Sequence, residues 1–327
     1  MRSTAAIGLA ALLFCFWTHS VAQAQPAQCK AGPAAIGVSR TVEIDASTGP
    51  RFGRSQYRDF DFLQDGEVVL TFDDGPSRRH TPAILDALDA HCTKATFFSV
   101  GRMAVADPEM LQETAMRGHT IGTHTWSHKN LRSLSLAQAR AEVELGLSAV
   151  QAALGGPVAP FFRFPYLSDP QPVQAMLQQR GIATFSIDAD SYDFRTSSPQ
   201  MVQENILNQL AQRKKGILLF HDIQPSTARA LKGLLDELKA RGYRVVHIVP
   251  KAPATTLADF DEMAEQVLRK KQVAASEHPL ARHPASAPLA HSSGASRPRP
   301  SHSAPRQNHT RQRYRDDRSW IERVFQN

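Results

Sequence analysis

Two aspartates, Asp73 and Asp74, stand side by side between the apolar run 68–72 and Gly75-Pro76. Adjacent side chains of a regular strand point to opposite faces, and adjacent carboxylates repel. The pair therefore raises the question of one task or two. His124 and His128 in "HTWSH" are four residues apart. On a helical turn that spacing puts two imidazoles on one side, close enough to share a metal. Alone, such a pair is more often a surface feature; a carboxylate pair at a neighbouring strand end changes that balance. Two histidines and one carboxylate leave positions on Zn²⁺ open for water and substrate. The same set matches the facial triad of non-haem Fe(II) oxygenases.

Further along, "RFPY" carries Arg163, which at such a position pairs with a carboxylate and holds it ionised. "DADSYDF" (residues 188–194) brings three more carboxylates, and "ILLFHD" (217–222) projects His221 from an apolar run. A lone histidine there would be a satisfied core residue; beside Asp193 it reads instead as an oriented, protonated acid. His119 is separated from His124 by an odd number of residues, which places the two on opposite faces of a strand. His119, His80, His91 and His247 are read as structural.

The elements that must position these groups are legible as a rhythm. Apolar, β-type runs fall at 68–72, 95–100, 120–122, 161–164, 183–187, 217–220 and 244–249. Between them lie helical patterns, clearest over 81–90, 136–154, 199–213 and 227–241, with Gly118, Gly181 and Gly242 where C-terminal caps are expected. Strands alternating with helices predict an α/β fold, a distorted (β/α) barrel of about seven parallel strands. Such barrels collect their chemistry at the C-terminal strand ends, and all five clusters follow strand runs.

Residues 1–24 have a charged start, an apolar centre and an A-x-A site (Ala22-Gln23-Ala24), the pattern of a secretory signal peptide. Export to the periplasm or beyond follows, with no transmembrane span after cleavage. Residues 25–66 read as an irregular strap, 67–251 as the barrel and 252–327 as a disordered basic tail rich in Pro, Ser, His and Arg. Cys29 and Cys92 form either one disulfide or two buried thiols. Of the net charge of +7, residues 270–327 supply all: 11 Lys or Arg there face 4 Asp or Glu, against 27 of each sign before them. A nucleic-acid-binding fold is not indicated, and the tail is suited to contact anionic envelope polymers.

In order and spacing, "TFDDGP", "HTWSH", "RFPY", "DSYDF" and "LLFH" resemble the five motifs of the polysaccharide deacetylases, carbohydrate esterase family 4, with chitooligosaccharide deacetylase-like members. The resemblance covers about residues 67–249. It implies a distorted barrel, a divalent metal (usually zinc, with cobalt or nickel as alternatives) and hydrolysis of N-acetyl groups. The substrates it implies are peptidoglycan, chitin-type oligomers or exopolysaccharide. Carried over by residue, it makes Asp74, His124 and His128 the metal ligands and Asp73 the general base, held by Arg163. The Tyr166 N–H would stabilise the oxyanion. Asp193 would orient the acid His221, and Phe194 and Leu219 would line the acetyl pocket. Two departures stand out: the family usually has Trp at position 194 and often Gly at 167, so pocket shape and substrate stay open. An O-acetyl esterase acting on a xylan-like polymer is the nearest alternative. A non-catalytic sugar-binding protein would leave the catalytic set unused, and an oxygenase would leave Asp73, Arg163 and the Asp193/His221 pair without roles.

Overall fold

The computed structural model of the chain describes residues 32–277. Two short strands, β1 (Arg40–Ile44) and β2 (Arg51–Phe52), precede β3 (Glu67–Asp73), which is buried along its whole length. The chain continues through α1 (Thr81–Ala90), β4 (Thr96–Ser99), α2 (Gly101–Ala106), α3 (Pro108–Met116), β5 (Thr120–Thr123) and α4 (Leu136–Leu154). Next come β6 (Phe161–Phe162), α5 (Gln171–Gln179), β7 (Ala183–Phe185), β8 (Ala189–Asp190) and α6 (Pro199–Arg213). The described part ends with β9 (Gly216–His221), α7 (Pro225–Ala240), β10 (Arg244–Pro250) and α8 (Ala258–Glu277).

Every strand pairing is parallel. The strands run β8-β9-β3-β4-β5-β6-β7 around the barrel, and among the described residues no pairing joins β7 to β8. That seam is the distortion, and β2 pairs with β7 beside it. Period-two alternation divides β3 between two cores. Val68, Leu70 and Phe72 pack outward among the helices, whereas Val69 joins Phe98, Phe161, Phe185 and Ile217 in a second cluster.

Local signals explain the well-defined helices. Ser135 and Gln138 form a capping box at the start of α4, and Gly155 ends it in the left-handed region at φ 68°. Ser198 caps α6 by accepting from the Met201 N–H.

Two expectations need correction. The ordered chain does not stop at residue 251, because α8 packs on α2 and α4. Ala264 is fully buried, beside Phe260, Met263, Val267 and Leu268, against Trp126 and Leu145. Those apolar residues recur at helical spacing, a local signal that the composition of the long tail masked. The strap is also less irregular than expected, since β1 adds to β10 and β2 to β7. The proposed signal peptide, Cys29 and residues 278–327 lie outside the described residues. Cys92 is disulfide-bonded. No described helix is long and apolar enough to cross a membrane.

Candidate active site

The register of the sheet brings the clusters to one rim. Asp73 is paired with both Phe98 on β4 and His221 on β9, and Thr123 with Phe162, so His124 and Arg163 leave adjacent strand ends. Asp73 continues the Val69–Thr71 side of β3. Asp74 would face away, but its φ of 80° turns the chain and brings its carboxylate back to the site.

Arg163 occupies the barrel centre with 0% exposure. Its Nη1 donates to Asp73 Oδ1 at 2.7 Å and to Thr71 Oγ1 at 2.8 Å; Nε and Nη2 donate to the Phe185 and Ser186 carbonyls. The guanidinium lies 4.3 Å from the Phe98 ring centroid. A buried cation so fully partnered is a fixed fork. Arg163 pairs with Asp73 and favours its ionised form, but burial outweighs the pull of Arg163 and His221 and pushes the carboxyl up to about 6. A base with that pKa is well matched to neutral pH.

Asp74, His124 and His128 form a three-donor cluster whose ligand atoms lie within 4.8 Å of one another. Asp74 Oδ1 is 3.2 Å from His128 Nε2 and 3.6 Å from His124 Nε2, is buried, and accepts no hydrogen bond. His124 Nδ1 contacts the Arg163 carbonyl at 2.7 Å. A carbonyl only accepts, so Nδ1 carries the proton and the Nε2 lone pair faces Asp74. Burial lowers the pKa of both histidines, keeping them neutral. An unsatisfied buried carboxylate oxygen facing imidazole nitrogens fits a divalent cation. The expected helical turn is absent: residues 124–128 form a bent loop with Thr125 at φ 66° and His128 at φ 59°, and it still brings the imidazole centroids to 4.9 Å.

On the other side, His221 Nδ1 meets Asp193 Oδ1 at 2.7 Å, and the His221 N–H donates to Oδ2 at 2.7 Å. Thr227 Oγ1 also donates to Oδ2, and Ser226 Oγ to the Asp193 carbonyl. Burial disfavours the imidazolium, but the hydrogen bond and charge of Asp193, helped by Asp74 and Asp73, raise its pKa to about 9. His221 is thus protonated at neutral pH. Phe194, 49% exposed, sets its ring edge-on to His221 at 5.6 Å, while Leu219 is buried. Tyr166 is exposed, lies 4.8 Å from the His128 ring, and has a left-handed backbone, as does Leu167.

Sequence reading missed two supports. Glu142 on α4 accepts from the Ser127 N–H and hydroxyl, bracing the histidine loop. Asp222, buried next to His221, accepts from Thr81 Oγ1 at 2.7 Å and lies against Gly75. Each acts through a loop rather than a motif, so only the adjacency of Asp222 to His221 could have pointed to it. His119 and His247 lie elsewhere, bonded to the Ala95 N–H and Thr120.

Comparison with known proteins agrees with this geometry. The family model described as polysaccharide deacetylase matches residues 63–185. The peptidoglycan-N-acetylglucosamine deacetylase PgdA of Listeria monocytogenes is 32% identical over 187 residues, 55% of this chain and 38% of that protein. This chain therefore spans well under half of that relative's length. A chitooligosaccharide deacetylase from a Bradyrhizobium strain is 30% identical over 198 residues, 56% of this chain and 89% of that protein. The solved structure of Bdellovibrio bacteriovorus peptidoglycan deacetylase Bd3279 superposes with a TM-score of 0.59 at 37% identity, covering 65% of this chain and 59% of that one. With a relative covered almost end to end and the motifs gathered at one barrel rim, the chain belongs to the polysaccharide deacetylase family, carbohydrate esterase family 4.

Proposed function

We propose that this chain is an exported, metal-dependent hydrolase that removes N-acetyl groups from a polysaccharide or oligosaccharide of N-acetylglucosamine. The relatives named above act on peptidoglycan and on chitooligosaccharides, and both remain within the proposed substrate class. The observation that carries the reading is geometric: beside the three-donor cluster, Arg163 clamps the buried Asp73 carboxylate on one side and Asp193 holds the His221 imidazole on the other, with burial raising the first and Asp193 raising the second. Environments that push two titratable groups apart in this way assign a base and an acid.

Asp74, His124 and His128 would hold the metal, zinc by the chemistry of the donor set. When bound, it supplies Lewis acidity toward the acetyl carbonyl and a more acidic attacking water. Asp73, clamped by Arg163, takes a proton as water adds to the acetyl carbon. The Tyr166 N–H donates to the developing oxyanion. His221, held through Nδ1 by Asp193, gives its remaining N–H proton to the departing nitrogen as the C–N bond breaks. Acetate and a free amine result. Phe194 and Leu219 border the space for the acetyl methyl.

Residues 67–251 with α8 are the catalytic unit on this reading, and the leader directs it out of the cytoplasm. The test is acetate release from peptidoglycan, chitin oligomers and acetylated xylan, with and without a chelator. Release from the first two that a chelator abolishes and zinc restores is the expected result. Release from xylan alone, or none from any, overturns the reading.

A further inference from the structure

The Tyr166–Leu167 turn is held in a backbone conformation that its residues disfavour. Tyr166 has φ 59° and ψ 15°, and Leu167 follows at φ 52°. Side chains with a Cβ resist the left-handed region, and two in succession compound the cost. Within the turn, the Leu167 and Ser168 N–H groups donate to the Phe164 and Pro165 carbonyls, each at 3.0 Å. From outside the turn, Arg132 Nε donates to Ser168 Oγ at 3.3 Å, but the Leu167 backbone itself is held from the strap. Gln56 Nε2 donates to the Leu167 carbonyl at 2.7 Å, and the next residue, Tyr57, donates its hydroxyl to Asp169 Oδ2 at 3.0 Å.

The other end of the same amide leads to the base. Gln56 Oε1 accepts from Ser186 Oγ at 2.6 Å, and the Ser186 carbonyl accepts from Arg163 Nη2 at 3.1 Å. Arg163 in turn holds Asp73. The strap is itself fixed against β7. Phe52 stacks on Phe185 at 4.9 Å, the Ser186 N–H donates to the Phe52 carbonyl, and Gly53 has no room for a Cβ, which would lie 2.5 Å from the Ser186 carbonyl carbon. The strap residues in this chain of contacts, Phe52, Gly53, Gln56 and Tyr57, lie before residue 63, where the family match begins.

We infer that Gln56 is a positioning residue for the reaction, holding the Leu167 carbonyl so that a left-handed turn without glycine presents the Tyr166 N–H to the site. The strap is then a working part of the enzyme rather than a cover over the barrel. The inference rests on the deacetylase reading and on the Tyr166 N–H as oxyanion donor. It also explains how this chain accommodates Leu at position 167: glycine enters the left-handed region freely, whereas leucine needs an outside bond.

Acetate release by the zinc-loaded full chain should be measured for the wild type, Q56A, Q56E, L167G and Q56A/L167G. Glu at 56 can still accept from Ser186 but cannot donate to Leu167. Q56A and Q56E should lose about tenfold in kcat, about 1.4 kcal/mol, with KM and zinc affinity unchanged. L167G should restore most of that loss in the Q56A background, because glycine needs no restraint. Hydrogen exchange at the Leu167 and Ser168 amides, measured alongside, should accelerate in Q56A whether or not a substrate turns over. Unaltered exchange in Q56A overturns the inference, as does unaltered kcat or a loss that L167G does not reduce. If the wild type releases no acetate while exchange responds, the deacetylase reading and the catalytic role both fall, and only the strap–turn contact survives.

Discussion

At the scale of single residues, the site works by giving similar groups different surroundings. Asp73 and Asp74 are neighbours in sequence, yet one is bonded to Arg163 while the other has an oxygen that meets only imidazole nitrogens. Their tasks are accordingly separable by substitution. Asp73→Asn should lower acetate release by about 10²–10⁴-fold, the usual contribution of a positioned acid or base. Zinc bound per chain should stay at the wild-type level, because the ligand set is untouched; activity near wild type would remove Asp73 from the mechanism. The His221–Asp193 pair makes a pH prediction. An acid works only while protonated, so its limb of the kcat/KM profile falls as pH rises through its pKa. The partner Asp193 is what lifts His221 against burial to about 9. Asp193→Asn should therefore move the alkaline limb to lower pH, whereas an unmoved limb would assign the proton to another group.

At the scale of elements, two loops must be braced against each other, and close backbone approach does this. Gly75 sits where a Cβ would lie 2.0 Å from Asp222 Oδ2, and Gly146 on α4 where one would lie 2.5 Å from the Thr125 carbonyl carbon. The first contact gives a double-mutant cycle. Gly75→Ala should push the Asp73–Asp74 turn off Asp222 and weaken zinc binding. Asp222→Ala should open the same space, so the double variant should lose less than the two single losses together, by about 0.5–3 kcal/mol for groups in contact. Strict additivity in a zinc titration would show that Gly75 and Asp222 act independently. The sequence carried much of this architecture, because long helices advertise themselves: α1, α4, α6 and α7 were legible from apolar spacing, and Gly118, Gly181 and Gly242 marked the ends of α3, α5 and α7. Strands of two residues, such as β2 and β8, are too short for any periodicity to register. The histidine loop misled for a different reason. Spacing identified the right two residues, but left-handed residues at 125 and 128, not a helical turn, join them. Supports such as Glu142 and Gln56 were invisible because their partners are distant in sequence and are met only through folded backbone.

At the scale of the whole molecule, the barrel separates its two ends by chemistry as well as geometry. The C-terminal rim holds the proposed acid and base, while His119, just before β5, and His247 on β10 are buried histidines outside that proposal. His247 Nε2 donates to Thr120 Oγ1 at 3.0 Å, since that hydroxyl gives its own proton to the Ile248 carbonyl. Burial, reinforced by Lys94, lowers its pKa to about 4, and His119 falls to about 3 for the same first reason. The unfolded chain titrates histidine near 6.5, so it binds more protons than the folded chain between that pH and the depressed values. Stability from these histidines is therefore complete above about 6.5 and is lost as pH falls toward 4. Asp222 opposes this, because burial raises it to about 7 and its protonated form favours the fold at lower pH. The wild-type pH profile also carries Asp73, His124, His128 and His221, so a substitution must isolate the part of His247. Glutamine at 247 can keep the donor to Thr120 without a titrating group. Between pH 7.5 and pH 5, His247→Gln should lose about 2 kcal/mol less stability than the wild type, the cost of about 1.5 pH units of withheld protonation. Urea unfolding at the two pH values measures this difference. An identical acid loss in both proteins would mean that His247 is protonated in the folded chain and that the barrel's lower end is open to water.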